Sequence, residues 1–275
     1  YWNITGGGLV YLFAAVAVAF LAWGIYKRVQ LWRLGGKAAR LDRVPERLAS
    51  VFAEIFGQRR NLRDPVPGVA HALILYGFLA EVVATGLIAV QENTGIHFLK
   101  GPFYLGYSLL SDVFGLLAIA GLGFMLYRRL VLRPARLHTV FDDWVALGLL
   151  LLIFLQGFLV EGLRIAASEL QTQPELARWS PGGYAVALAL QGLDEASLRA
   201  VHRVSWWFHL ATAMAFLGWF VYGKLTHVLF GTANIFLRNF APTGKREHAD
   251  IDAVLESDPD ALDALGRNRI EPFGW

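Results

Sequence analysis

Five runs of predominantly apolar residues, 8–33, 67–90, 103–127, 144–166 and 201–230, constrain this chain more than any other feature. Crossing a hydrocarbon core of about 30 Å takes about 20 such residues in helical form, and each run is long enough. With 56% hydrophobic and only 17% charged residues, and a mean hydropathy of +0.45, the chain carries more apolar surface than a soluble core of its size would bury. Lipid is expected to cover the remainder. The sequence therefore predicts an all-α, integral membrane five-helix bundle over residues 1–240, multi-pass in the cytoplasmic membrane, followed by a polar segment over 241–275.

Basic residues set the expected orientation. Lys27, Arg28, Arg33, Lys37, Arg40, Arg43, Arg47, Arg59, Arg60 and Arg63 lie between the first and second runs, and Arg128, Arg129, Arg133 and Arg136 between the third and fourth. The other connections carry only Lys100, and Arg178, Arg199 and Arg203. By the positive-inside rule the N-terminus is outside and the C-terminus cytoplasmic. Clustering at membrane boundaries also accounts for the net charge of +3 without a nucleic-acid partner.

Within the first cytoplasmic connection, Val44, Leu48, Val51, Phe52 and Ile55 recur at helical spacing. They read as an amphipathic helix on the membrane surface, with a solvated basic loop as the alternative. The outer segment 167–199 holds Pro174, Pro181, Gly182 and Gly183, which suit a structured loop or short helices. The acidic, polar segment 241–275 reads as a cytoplasmic linker. The chain has no cysteine, so any cysteine-bound iron-sulfur cluster belongs to a partner or lies beyond Trp275.

Histidines at membrane depth are the candidate functional residues, because ionisable groups are costly there. His209 and His227 stand eighteen residues apart in the fifth run. In one continuous helix that is about five turns and about 27 Å, so both imidazoles leave one face near opposite membrane surfaces. His71, near the start of the second run, falls at the level of His227. Two imidazoles from facing helices can hold a low-spin haem iron, so His71 and His227 are an expected ligand pair. Lys224, three residues before His227, either reaches a haem propionate or snorkels to the headgroups.

At the depth of His209 no second imidazole is evident on the facing helix; the residue ten positions past His71 is Glu81. Asp112, Glu161, Arg164 and His202 fall in the same outer half. Three readings remain open together: a second haem using His209, a quinone pocket in which Glu81 and Glu161 carry protons beside Arg164, and a structural Glu161–Arg164 pair. His97, His138 and His248 read as solvated, and Trp206, Trp207 and Trp219 as interface-belt and core residues or as packing for a porphyrin edge. Gly77, Gly86, Gly121, Gly123, Gly157 and Gly162 are expected to let helices approach closely.

Several segments carry a family resemblance: VAHALILYGFL around His71, GPFYLGYSLLSDVFG, LVEGLRIA, WWFHLATAMAFLGWFVYGKLTHVLFG with both late histidines, and the closing RNRIEPFGW. The chain resembles the gamma subunit of respiratory nitrate reductase, a five-helix b-type cytochrome. It is more similar still to the related membrane domain of heterodisulfide reductase-like and dissimilatory sulfite reductase-associated complexes, often fused to a cytoplasmic iron-sulfur module. The resemblance implies haem b, one or two, with His71 and His227 as inner ligands and His209 as an outer one. At Glu81 the chain departs from the gamma subunit, which carries a histidine there. The resemblance further implies electron transfer between a quinone such as menaquinone and a cytoplasmic iron-sulfur protein or fused domain, in either direction. The rival expectations are a haem-free proton-coupled transporter using the same His, Glu and Arg residues, and a passive membrane anchor. Five spans without an inverted repeat do not suit the common transporter plan.

Overall fold

The computed structural model describes residues 2–35 and 40–240, so Lys37, His248, the 241–275 linker and its RNRIEPFGW segment lie outside the described residues. Within them the fold is helical throughout: α1 (Leu9–Trp32), α2 (Val44–Val51), α3 (Pro65–Thr94), α4 (Gly101–Tyr127), α5 (Phe141–Ala167), α6 (Glu169–Thr172), α7 (Pro174–Ala177), α8 (Pro181–Leu190), α9 (Glu195–Trp219) and α10 (Thr226–Phe236). Four helical runs, Leu9–Trp32, Pro65–Thr94, Gly101–Leu132 and Phe141–Thr172, are long and apolar enough to cross a membrane. They coincide with the first four runs expected from the sequence.

The fifth run differs. Instead of one helix over 201–230, α9 starts early on the charged turns of Glu195, Arg199 and Arg203, and the helix is broken at 220–225 before α10 begins. Asp194 caps α9 by accepting from the Ser197 amide at 3.0 Å. The break has a tertiary cause. The Lys224 amide donates to the Asp142 carboxylate at 2.6 Å and the Lys224 ammonium to Asp143 at 2.6 Å, so the first turn of α5 takes a backbone donor that an unbroken helix would have used. Gly223 accommodates the turn, because a Cβ there would run into the Trp219 ring. The five-turn spacing of His209 and His227 along a single straight helix therefore does not hold.

Packing follows where side chains are small. α3 lies along α4, with Gly77 against Ala118 and the Phe114 carbonyl, and Gly121 against the Ala70 carbonyl; a Cβ at either would come within 2.5–2.6 Å. Gly162 likewise admits Val186 of α8, whereas Gly86 and Gly123 face open space. One buried cluster joins Ala118, Leu122, Leu150, Phe154, Phe216, Phe220 and Val221, and a second joins Leu163, Ile165, Ala166, Ala177, Ala187 and Leu198. Leu9, Tyr11, Leu12, Phe20 and Trp23 of α1 stay exposed, as side chains facing lipid would. The basic connection forms the expected helix α2, extended by a wide turn over Phe52–Phe56. Segment 167–199 folds as the short helices α6, α7 and α8.

Candidate functional site

Pro65 and Pro67 open α3, where absent amide donors cost nothing. Gly68 lets the Asn61 carbonyl lie where a Cβ would otherwise sit. This contact brings the preceding turn onto the start of α3, beside His71. Gln58, 3% exposed, points inward from a left-handed backbone with φ +49°. Its amide nitrogen donates to the Ile55 carbonyl at 2.5 Å, which turns its oxygen toward Asn61 Nδ2 at 2.7 Å and His71 Nδ1 at 2.9 Å. Asn61 Nδ2 also lies 3.2 Å from His71 Nδ1, but the Gln58 contact is the shorter and an amide oxygen only accepts, so that contact requires the His71 proton on Nδ1 and leaves Nε2 as a lone pair.

His227, in the first turn of α10, is arranged in the same way. Its Nδ1 lies 2.7 Å from the Lys224 carbonyl and must donate, which again leaves Nε2 free. The two rings lie with centroids 6.3 Å apart and planes tilted at 51°. Two imidazoles each about 2 Å from one metal, with ring centres about 1 Å behind their nitrogens, stand about 6 Å apart. Spacing, paired acceptors on Nδ1 and free Nε2 atoms all suit a single shared metal. Lys224 spends its ammonium on Asp143, which also binds Arg129 at 3.0 Å and accepts from the Val140 amide at 2.9 Å.

Arg47 holds this end together. It is 1% exposed and donates to the Asp42 carbonyl and carboxylate at 2.6 and 2.7 Å and to the carbonyls of Phe236 and Arg238 at 2.7 and 2.9 Å. The last two close the C-terminal end of α10, whose orphan carbonyls need donors. Sequence reasoning counted Arg47 only as boundary charge. Its signal was present: Arg47 completes the helical stripe of Val44, Leu48 and Val51, where a charge is out of place. Gln58 carried no such mark.

Further along α3, about 15 Å from His71, Glu81 accepts from Ser111 at 2.9 Å. Asp112, 2% exposed, accepts the amides of Gly182 and Gly183 at 2.5 and 3.1 Å and so caps α8 from another helix. Glu161 lies against Gly183, where a Cβ would come within 2.7 Å of its carboxyl. Arg164 is 3.9 Å from Glu161 but 2.6 Å from Glu169, which also accepts from Tyr104. Phe158 joins the cluster, touching Gly115 beside Glu81 and Gly182 beside Asp112.

His209 approaches α5 at Gly157, one turn before Glu161. Its Nδ1 is buried with no hydrogen-bond partner, and Gly157 of α5 leaves room beside it, a Cβ there lying 3.9 Å from His209 Cε1. Gln156, which donates to Thr212 at 3.3 Å, has a buried oxygen without a partner. His202 packs against Trp2 at 4.7 Å and approaches Asn3 at 3.5 Å. His97 and His138 are exposed, as expected. Trp206 and Trp207 stack edge to face, and Trp207 meets Phe13. Trp219 lines an apolar groove of about 910 Å³ between α1 and α9 that has no charged side chain to orient a polar ligand. Among the described residues no three His, Asp or Glu side chains are grouped so as to hold a metal ion, so the histidines offer at most a pair of ligands at one place.

Comparison with known proteins identifies relatives of the chain. The family described as nitrate reductase gamma subunit matches residues 70–245. The chain is 31% identical over 99% of its length to an EtfAB:quinone oxidoreductase from Syntrophomonas wolfei, covering 38% of that protein. It is 27% identical over 96% of its length to the probable iron-sulfur-binding oxidoreductase FadF of Bacillus subtilis, covering 36% of it. Over 42% of its length it is 30% identical to one subunit of the dihydromethanophenazine:CoB–CoM heterodisulfide reductase of Methanosarcina mazei, covering 48% of that polypeptide. The chain thus spans less than half the length of each of these relatives. No solved structure matches it.

Proposed function

The chain belongs to the nitrate reductase gamma subunit family, a multi-pass membrane component of redox complexes, and from that premise we propose that it is a b-type cytochrome module. In this reading α9 completes a five-helix bundle, with the N-terminus outside and the basic connections cytoplasmic. Electrons pass between a membrane quinone, menaquinone among the candidates, and a cytoplasmic iron-sulfur protein or fused domain. The names of the relatives, one a quinone oxidoreductase and one an iron-sulfur-binding oxidoreductase, support both ends of that path.

The observation that carries the proposal is the His71–His227 pair, 6.3 Å between ring centroids, each ring engaged through Nδ1 and free at Nε2. Haem b bound there supplies one-electron chemistry. His71 and His227 would hold it in the membrane near the cytoplasmic boundary, where Asp143 keeps Lys224 and the start of α10 in place. His209, with its unpartnered buried nitrogen, would be the ligand for an outer haem, for which Glu81 stands where the gamma subunit has histidine.

Quinone turnover couples two electrons to two protons, so the quinone end needs groups that hold protons. Glu81 and Glu161 fill that role, Glu81 keeping one oxygen on Ser111 and Glu161 lying beside the α8 N-terminus, while Arg164 is oriented by Glu169. Asp112, committed to two backbone amides, anchors the start of α8 instead. A reduced-minus-oxidised spectrum with pyridine haemochrome quantitation tests the reading. A b-type spectrum is expected; its absence from a preparation retaining native cofactors overturns the reading and favours haem-free proton-coupled transport or a passive anchor.

A further inference from the structure

We propose that Gln58 is the positioning residue of the inner pair: its side-chain oxygen holds the His71 proton on Nδ1, presents Nε2 to His227, and sets how basic a ligand His71 is. This rests on the reading of His71 and His227 as haem ligands. Gln58 is buried in a stretch whose neighbours Arg59 and Arg60 are exposed. Its φ of +49° is uncommon for a residue other than glycine or asparagine, and that backbone reversal turns the side chain inward. The adjacent Gly57 keeps an ordinary φ of −74° and is needed for contact instead, since a Cβ there would lie 2.5 Å from the Ala53 carbonyl.

Three hydrogen bonds, one donated and two accepted, set the orientation of the Gln58 amide. With Nε2 held by Ile55, the oxygen can only face Asn61 and His71. A flipped amide would set its nitrogen against the Asn61 amide and its oxygen against the Ile55 carbonyl. Histidines that bind metals commonly donate their second nitrogen to such an acceptor, which fixes the tautomer and raises ligand basicity. His227 uses a backbone carbonyl for this purpose, which substitution cannot remove; His71 depends on a side chain. Arg47 ties the helix preceding Gln58 to the end of α10, so one surface segment is bonded both to His71 and to the helix bearing His227.

The test uses the full chain in native membranes, with Q58E and Q58L read by optical redox titration and electron paramagnetic resonance. A carboxylate at 58 gives up the bond to the Ile55 carbonyl but accepts more strongly from His71, makes it more basic and favours ferric iron, so Q58E is expected to lower the midpoint potential. Q58L removes the acceptor and is expected to raise it, with a shifted low-spin signal and unchanged haem content in both. If Q58L does not fold, Asn61→Ala replaces it: relieving the shared oxygen strengthens the His71 bond and shifts the midpoint downward. Potentials and signals identical to wild type, with haem retained, overturn the proposal and leave the ligand assignment standing. On haem-free protein, nitrogen-15 NMR of labelled histidine is expected to show His71 as the Nδ1–H tautomer, with both tautomers present in Q58L. If the wild type holds no haem, the functional reading fails, and this tautomer measurement decides the Gln58 proposal alone.

Discussion

Arg47 donates a hydrogen bond of 2.7 Å to the carbonyl of Phe236, 189 residues away in sequence. With its second bond to Arg238 and its pair with Asp42, it joins the basic connection between α1 and α3 to the last described helix. Removing a buried donor strands the acceptors it served. Arg47→Ala is expected to destabilise the protein by about 2–3 kcal/mol, seen as a lower Tm in detergent. Arg47→Lys is expected to recover little, because an ammonium lacks the planar fork that reaches several acceptors at once. A Tm equal to wild type for Arg47→Ala would show the contact to be dispensable.

The same contact gives a pH dependence with a defined sign. The Arg47 hydrogen bond holds the Asp42 carboxyl below its ordinary value of 3.8, so folding gains from the ionised form. That contribution is complete above the unfolded value and disappears as pH falls through the folded one. The stability difference between wild type and Asp42→Asn is expected to be constant at neutral pH and to close below about pH 3.8, followed by thermal denaturation at several pH values. A difference that persists at the acid end contradicts the assignment.

For the proposed inner site, His71→Ala and His227→Ala are each expected to abolish the same low-spin centre, since one iron cannot keep that state on a single imidazole. Spectra of the two variants should coincide. Loss of different centres, or an unchanged spectrum in either, refutes the pair. His209→Ala is expected to leave that centre intact and to alter a second haem signal or quinone-linked turnover.

Glu81→Gln keeps shape and the Ser111 contact but cannot carry a proton. Quinone-linked turnover is expected to fall by about 10²-fold, the range of a lost general acid or base, with the inner-site spectrum unchanged. Wild-type turnover in Glu81→Gln would remove Glu81 from the proton path and leave Glu161 as the carrier.

Gly121 faces the Ala70 carbonyl, where a Cβ would lie 2.6 Å away, and Gly86 faces open space. Gly121→Val is expected to push α3 from α4 and cost about 1–3 kcal/mol, as overpacking does. Gly86→Ala is expected to be neutral or slightly stabilising, because alanine is the better helix former. Comparing their Tm values checks both.

What the sequence by itself determined is whatever depends on one helix at a time. The lengths of the apolar runs mark α1, α3, α4 and α5, because crossing lipid depends on composition along a single axis. The apolar spacing from Val44 to Ile55 marks α2, because a stripe is a property of one helix face. Depth counting brought His71 and His227 to one level even though the helix between His209 and His227 is broken. Only the tertiary structure decided where that break falls, because Asp142 and Asp143 can take the Lys224 amide and ammonium only once the start of α5 lies beside them. The Gln58 contact with His71, the reach of Arg47 to α10 and the capping of α8 by Asp112 have the same origin. Each is a hydrogen bond between groups remote in the chain, and periodicity reports which face a residue occupies but not which partner packing will bring to it.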